Sequence, residues 1–166
     1  DIVGDLTEVL RACPPNTVDL VTSHHVFEHL ANLEEVLQEI GRVLKIGGRL
    51  EIVVPHFSNP YYYSDATHKA FFGLYTFCYF AAHSPFQRQV PTYQRELFFD
   101  LYRVDLRFKS PPPFYARYGI KRLWGFLFNL NNYMRELYEE NFCYLIPCYE
   151  LRYELVRIRE SLLPED

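Results

Sequence analysis

The chain has 166 residues, 49% hydrophobic and 23% charged, which is the size and composition of one ordinary globular domain and excludes intrinsic disorder. At this length folding buries roughly 70% of the surface of the unfolded chain, so no disulfide or metal staple is needed. A formal net charge of -4, from 17 Lys+Arg against 21 Asp+Glu, argues against nucleic acid as a partner. Cys13, Cys78, Cys143 and Cys148 form no CxxC pair and read as reduced, mostly buried thiols, and a cytoplasmic location is expected. The longest apolar run, Phe71 to Ala82, is too short for a transmembrane segment.

In chain order, Ile2 and Val3 read as the tail of a buried strand ended by Gly4 and Asp5, so the chain is expected to start in mid-domain. After a loop containing Cys13, Pro14, Pro15 and Asn16, Val18 to Thr22 is a short apolar run broken only by Asp19. That pattern suits a parallel strand covered on both faces. Asn32 as N-cap with Glu35 three residues on spells a capping box, and Leu33, Val36, Leu37, Ile40 and Leu44 repeat at helical spacing up to Gly47 and Gly48. Leu50 to Val54 is a further strand, stopped by Pro55, and completes a βαβ unit. Farther on, helical pieces are expected at Ala66 to Phe72 and Thr76 to His83. Strands are expected at Tyr102 to Phe108 and Tyr149 to Ile158, separated by the proline triplet 111–113 and a long helix near Ile120 to Glu140. Late antiparallel strands appended to a parallel sheet fit this order, and residues 1–166 read as one domain.

Parallel strands end at a common rim, where open α/β sheets bind their ligands. Three segments should therefore meet: Gly4, Asp5 and Leu6; Ser23, His24 and His25; His56, Phe57 and Ser58. Taken singly, Asp5 is equally well a turn residue, and Ser23 or His24 a helix cap.

These residues carry a resemblance. The stretches DIVGDL, VDLVTSHHVFEHL, LEEVLQEIGRVLKIGGRLEIVVP, SDATHKAFF and TFCYF, between Asp1 and Phe80, resemble the second half of a class I S-adenosylmethionine-dependent methyltransferase domain of the type 11 group. The likeness continues weakly into YELRYELVRI. It implies an α/β fold, a Rossmann-like doubly wound sheet that is mostly parallel with C-terminal antiparallel strands and N-terminally truncated. It also implies S-adenosylmethionine as cofactor and a small-molecule methyl acceptor.

By that resemblance Asp5 would accept from the adenine amino group with the Leu6 backbone beside it. Ser23 and His24 would lie along the methionine and sulfonium part, and His25 and His29 would face the cleft or hold the turn. Arg42, Gly47 and Gly48 would be structural. The family's glycine-rich loop and ribose-binding acid would fall upstream of Asp1, so this chain alone is expected to bind the cofactor weakly or not at all. The Val18 to Thr22 strand would then show an open edge, to be covered by a partner or by the missing N-terminal segment.

Methyl transfer to a hydroxyl or amine needs a base, and His25, His56, Asp65 and His68 are the candidates. Asp65 and His68, three apart, would share one helical face and could form an Asp-oriented His. The plainer reading has Asp65 as a cap and His68 packed against it. Two other functions compete. His25, Glu28 and His29 spell HxxEH, the pattern of a metal-dependent hydrolase, although that motif needs both histidines in a regular helix. Some methyltransferases hold a divalent ion on a related Glu-x-x-Glu-His turn, whose first Glu is His25 here, and no metal ligand is assigned. The aromatic second half offers a non-catalytic binding or membrane-surface module, with Ile120, Leu123, Trp124, Leu127, Leu130, Met134 and Leu137 at helical spacing beside Arg117, Lys121 and Arg122. Such a stripe is more often core. Tyr61 to Tyr63, Phe71, Phe72, Phe77 and Phe80 could instead roof the cleft over an apolar, aromatic or sugar-like acceptor.

Overall fold

The computed structural model describes residues 3–91, 98–110 and 112–158. Its elements are α1 (Leu6–Ala12), β1 (Val18–His24), α2 (Leu33–Val43), β2 (Leu44–Pro55), β3 (Phe99–Arg107), α3 (Tyr115–Phe128), α4 (Asn132–Asn141) and β4 (Glu150–Arg157). Three 3-10 turns, at Phe27–His29, Tyr62–Ser64 and Thr76–Phe80, join them.

The strands form one sheet in the order β1-β2-β4-β3. β1 runs parallel to β2, whereas β4 is antiparallel to both β2 and β3, so β1, β2 and β3 share one direction. This is the mixed, Rossmann-like α/β sheet that the sequence implies. Its register stacks apolar side chains in rows across three strands. Leu50 lies opposite Leu155 and Leu155 opposite Leu101, while Ile52, Tyr153 and Val104 form the next row. All six are buried.

α2 forms where its apolar spacing places it, burying Val36, Leu37, Ile40 and Val43 on one face. The capping box is replaced by another arrangement. The Asn32 amide donates to Glu35 Oε2 at 2.9 Å and to Thr7 Oγ1 at 3.2 Å, joining the starts of α2 and α1. At the other end, the Arg42 guanidinium donates to the Leu10 and Cys13 carbonyls at 2.8 and 3.0 Å, the former already accepting from Cys13 N, and so ties the end of α1 to α2. Arg42 is thus structural.

Several expectations are corrected. β1 is not covered on both faces: it is the sheet's edge, and Leu20 is 50% exposed. Ile2 lies outside the described residues, and Val3 is exposed and outside any strand. No helix spans Ala66 to Phe72, because backbone donors there are taken by distant acceptors. Lys69 N and Ala70 N both donate to the Glu28 carbonyl. Thr76 to His83 shrinks to the 3-10 turn. The long helix is two, broken at Asn129–Asn131, where Asn131 caps α4 through Met134 N. Pro111 of the proline triplet lies outside the described residues. Of the apolar stripe, Trp124 and Met134 pack against the core, whereas Ile120, Leu123 and Leu130 are exposed.

All four cysteines are free thiols, and burial pushes Cys78 up to about 11, well outside the range of a reactive thiolate at neutral pH. No helix among the described residues is long and apolar enough to cross a membrane.

Leu155 sits fully buried at the centre of the three-strand row. Leu155→Ala should therefore lower the unfolding free energy by about 2–5 kcal/mol, read from the shift in urea midpoint at unchanged m-value.

Candidate functional site

The rim is built by the chain's direction. β1 and β2 end side by side, His24 pairing with Val53, and the antiparallel β4 begins there, Glu150 pairing with Pro55 and with Arg107 at the end of β3. Three strand ends and one strand start therefore meet at the same edge.

At the tip of β1 the chain turns sharply. His25 N donates to the Val53 carbonyl at 2.9 Å, and His25 then takes a left-handed φ of 53°, an uncommon conformation for a residue with a Cβ. That turn sends its ring back across the rim, where Nδ1 lies 3.1 Å from Glu28 Oε1 and Nε2 3.5 Å from Glu150 Oε2. Just before it, His24 is exposed, while the Ser23 hydroxyl is buried without a hydrogen-bond partner among the described residues.

Asp5 caps α1: its Oδ1 accepts from Thr7 N at 2.9 Å and Glu8 N at 3.2 Å, with Leu6 as the first helical residue. The sequence reading missed α1 itself, although Asp5 ahead of LTEVLRA is an N-cap signal.

His56, at the tip of β2, is fully buried and fully used. Ser58 N donates to Nδ1 at 3.0 Å, which leaves Nε2–H to donate to Glu139 Oε2 on α4 at 2.9 Å. It bolts β2 to α4 and is not available as a base.

His29, Asp65 and His68 are brought together by a turn rather than by a helix. Asp65 Oδ1 accepts from Thr67 N at 2.9 Å and from the Thr67 hydroxyl at 2.6 Å, and these bonds hold its carboxyl below the usual carboxylate range. Since that hydroxyl spends its proton on Asp65, its oxygen must accept from His29 Nδ1, 2.9 Å away. His68 Nδ1 donates to the Tyr62 carbonyl at 2.9 Å, while its Nε2 lies 3.6 Å from Asp65 Oδ2. The rings of His29 and His68 are 4.8 Å apart.

The aromatic roof divides. Phe71 and Phe72 line a recess of about 290 Å³ with Phe57, Tyr75, Tyr79 and Arg88, whereas Phe77 and Tyr62 are buried and Tyr61 and Tyr63 exposed. A recess of about 380 Å³ along Asp19, Leu20 and Lys45 to Arg49 lies at the opposite strand ends, away from these groups.

With this geometry in place, residues 2–52 match the family described as "Methyltransferase domain". Comparison with curated protein sequences finds no match. Among solved structures, a SAM-dependent methyltransferase from Archaeoglobus fulgidus aligns with a TM-score of 0.53 at 18% identity, over 95% of this chain and 66% of that one. A chain of the complex between the Haloferax volcanii Trm112 methyltransferase activator and a methyltransferase aligns at 0.55 and 16% identity, over 95% and 61%. MccD protein aligns at 0.52 and 15%, over 93% and 66%. This chain spans less than two thirds of the length of these structures. Its fold is the Rossmann-like fold of S-adenosylmethionine-dependent methyltransferases. The family match covers residues 2–52 of the 166, less than half of the chain.

Glu150 gives the rim a measurable signature. Burial pushes its carboxyl up, but Lys109 at 2.5 Å and Arg107 at 3.2 Å outweigh that and hold it below the ordinary carboxylate value, with His25 on its other side. A carboxyl lowered by folding adds stability that is present above its unfolded value and lost as pH falls through the lowered one. Urea midpoints should therefore drop as pH is taken below about 4.3. Glu150→Gln should be less stable at pH 7 and lose part of that acid-side drop.

Proposed function

We propose that the protein acts in S-adenosylmethionine-dependent methyl transfer to a small-molecule acceptor, with residues 1–166 forming one partial methyltransferase domain in the cytoplasm. The observation that carries this is that the methyltransferase match, residues 2–52, includes the tip of β1 and most of β2, whose ends adjoin at the rim. The residues present suit the cofactor in one testable respect: the buried Ser23 hydroxyl still lacks a partner among the described residues.

Bound S-adenosylmethionine would supply an electrophilic methyl group on a sulfonium. Ser23 and His24 are proposed to lie along its methionine part, with His29 holding the adjoining turn. Asp5, whose Oδ1 is occupied by the α1 cap, would accept from the adenine amino group through Oδ2, beside Leu6. The chain's main task is to position an acceptor atom about 3 to 3.5 Å from the reacting carbon. For a hydroxyl or amine acceptor, His25 is the proposed base: Glu28 orients its ring through Nδ1, and Nε2, 3.5 Å from Glu150 Oε2, would turn from that carboxylate to take the proton. Asp65 and His68 are proposed to stand on the acceptor side, and the aromatic recess at Phe71 and Phe72 suits an apolar or ring-bearing acceptor.

The HxxEH hydrolase loses its premise, because His25 is left-handed and only Phe27–His29 form a 3-10 turn, so the two histidines do not share a helix.

Saturation-transfer NMR with S-adenosylhomocysteine tests the reading. Weak transfer to its adenosyl and homocysteine protons is expected, with Ser23→Val binding about tenfold more weakly through the lost hydrogen bond. Absence of transfer would remove cofactor binding by residues 1–166 on their own. A low-micromolar calorimetric affinity would contradict the expectation that residues 1–166 hold the cofactor only in part.

A further inference from the structure

We propose that Glu28, His29 and His68 form a binding site for one divalent transition-metal ion of the Zn2+ type. The site shares these three residues with the groups assigned above, but nothing in it depends on the cofactor. A carboxylate oxygen of Glu28 and one ring nitrogen of each histidine all lie within 4.8 Å of one another. The residues come from separate segments, the 3-10 turn after β1 and the irregular stretch after Asp65, which are held together by the Lys69 and Ala70 donors to the Glu28 carbonyl.

Two further observations point to a cation rather than a chance cluster. Glu28 is 1% exposed, yet its Oε2 has no hydrogen-bond partner among the described residues. A buried carboxylate oxygen in that state is costly unless something positive meets it. The histidine tautomers are also set from behind. His29 Nδ1–H donates to Thr67 Oγ1, which passes its own proton to Asp65 Oδ1, and His68 Nδ1–H donates to the Tyr62 carbonyl. Each Nδ1 is thus committed to an oxygen acceptor, the way metal-binding histidines are commonly fixed; His29 keeps its Nε2 lone pair, and His68 Nε2, 3.6 Å from Asp65 Oδ2, would turn from that carboxylate to the ion.

Two imidazoles and one carboxylate are a donor set for Zn2+ or its first-row neighbours rather than for Mg2+ or Ca2+, which take oxygen. Three protein ligands leave a fourth position for water or an acceptor oxygen. Bonds of about 2.0 to 2.1 Å in a tetrahedral centre set donors roughly 3.3 Å apart, so the cluster must tighten on binding by side-chain rotation.

This is not the HxxEH set: His25 Nδ1 faces Glu28 Oε1 and its Nε2 faces Glu150, whereas His68, outside the motif, supplies the second imidazole.

The test is calorimetric titration of chelator-treated protein with Zn2+, with Co2+ absorption spectra as a second readout. One ion per chain is expected. His68→Ala and His29→Ala, both at partly exposed positions and checked for folding by circular dichroism, should each weaken binding by tenfold or more. Thr67→Val, which unties His29 from Asp65, should weaken it about tenfold. His83→Ala, whose ring bonds Asp100 elsewhere, should bind as wild type. The proposal is overturned if the wild-type chain binds no stoichiometric ion, if His68→Ala binds as well as wild type, or if His83→Ala loses as much as His68→Ala.

Discussion

Because β4 enters the sheet antiparallel between β2 and β3, its first residue, Glu150, arrives at the rim where the other three strands end, and a carboxylate only 2% exposed must be neutralised there. Arg107 and Lys109, from the end of β3 and the residues just after it, do this on one side, and His25 approaches from β1 on the other. One buried charge thus ties three strand tips together across the whole width of the sheet. Such a knot contributes modestly to net stability, since desolvation offsets much of the attraction, but removing either partner leaves an uncompensated charge. Its effect is to fix where His25 points.

Polar satisfaction separates supporting groups from candidate binding groups at this rim. His56 uses both ring nitrogens, and Glu139 uses both carboxylate oxygens, one on His56 and one on Leu74 N. Both are buried or nearly so, and the bonds account for their being there. Ser23 Oγ and Glu28 Oε2 are equally buried, lie on either side of the His25 turn, and lack such an account. A fold that satisfies the deeper groups so completely leaves these two as the places where a ligand would be felt.

The β1–α2–β2 unit was legible because its apolar spacing is local and matches one period throughout. The late strands were legible in place and direction for the same reason, although β3 begins earlier than its sequence suggests. What failed depended on distant partners. Residues 66–72 have helical composition, yet Lys69 and Ala70 give their amide protons to Glu28 rather than to a preceding turn. The long helix fails at Asn129, whose side chain accepts from Leu106 N and donates to the Leu106 carbonyl, capping the edge of β3 like one more rung. The NLNN run carried that signal, since asparagine competes with helical backbone for hydrogen bonds. Within the site, the tips of β1 and β2 followed from the strand pattern. The His29, Thr67 and Asp65 chain did not, because no periodicity links residues 38 positions apart.

The left-handed backbone at His25 explains how one short sequence serves two directions. With helical angles there, His25 and His29 would stand one turn apart on the same face, and Glu28 would be placed between them as the HxxEH pattern requires. The positive φ instead breaks that face before it starts. His25 swings towards Glu150 and the strand ends, while His29 continues on the 3-10 turn towards Thr67. Glu28, buried between them, touches the first through Oε1 and belongs to the cluster of the second. The unusual conformation at a single residue therefore divides what reads as one motif into two neighbouring groups with different partners. The Val53 carbonyl, by fixing His25 N at the end of β1, is the bond that holds the chain in that state.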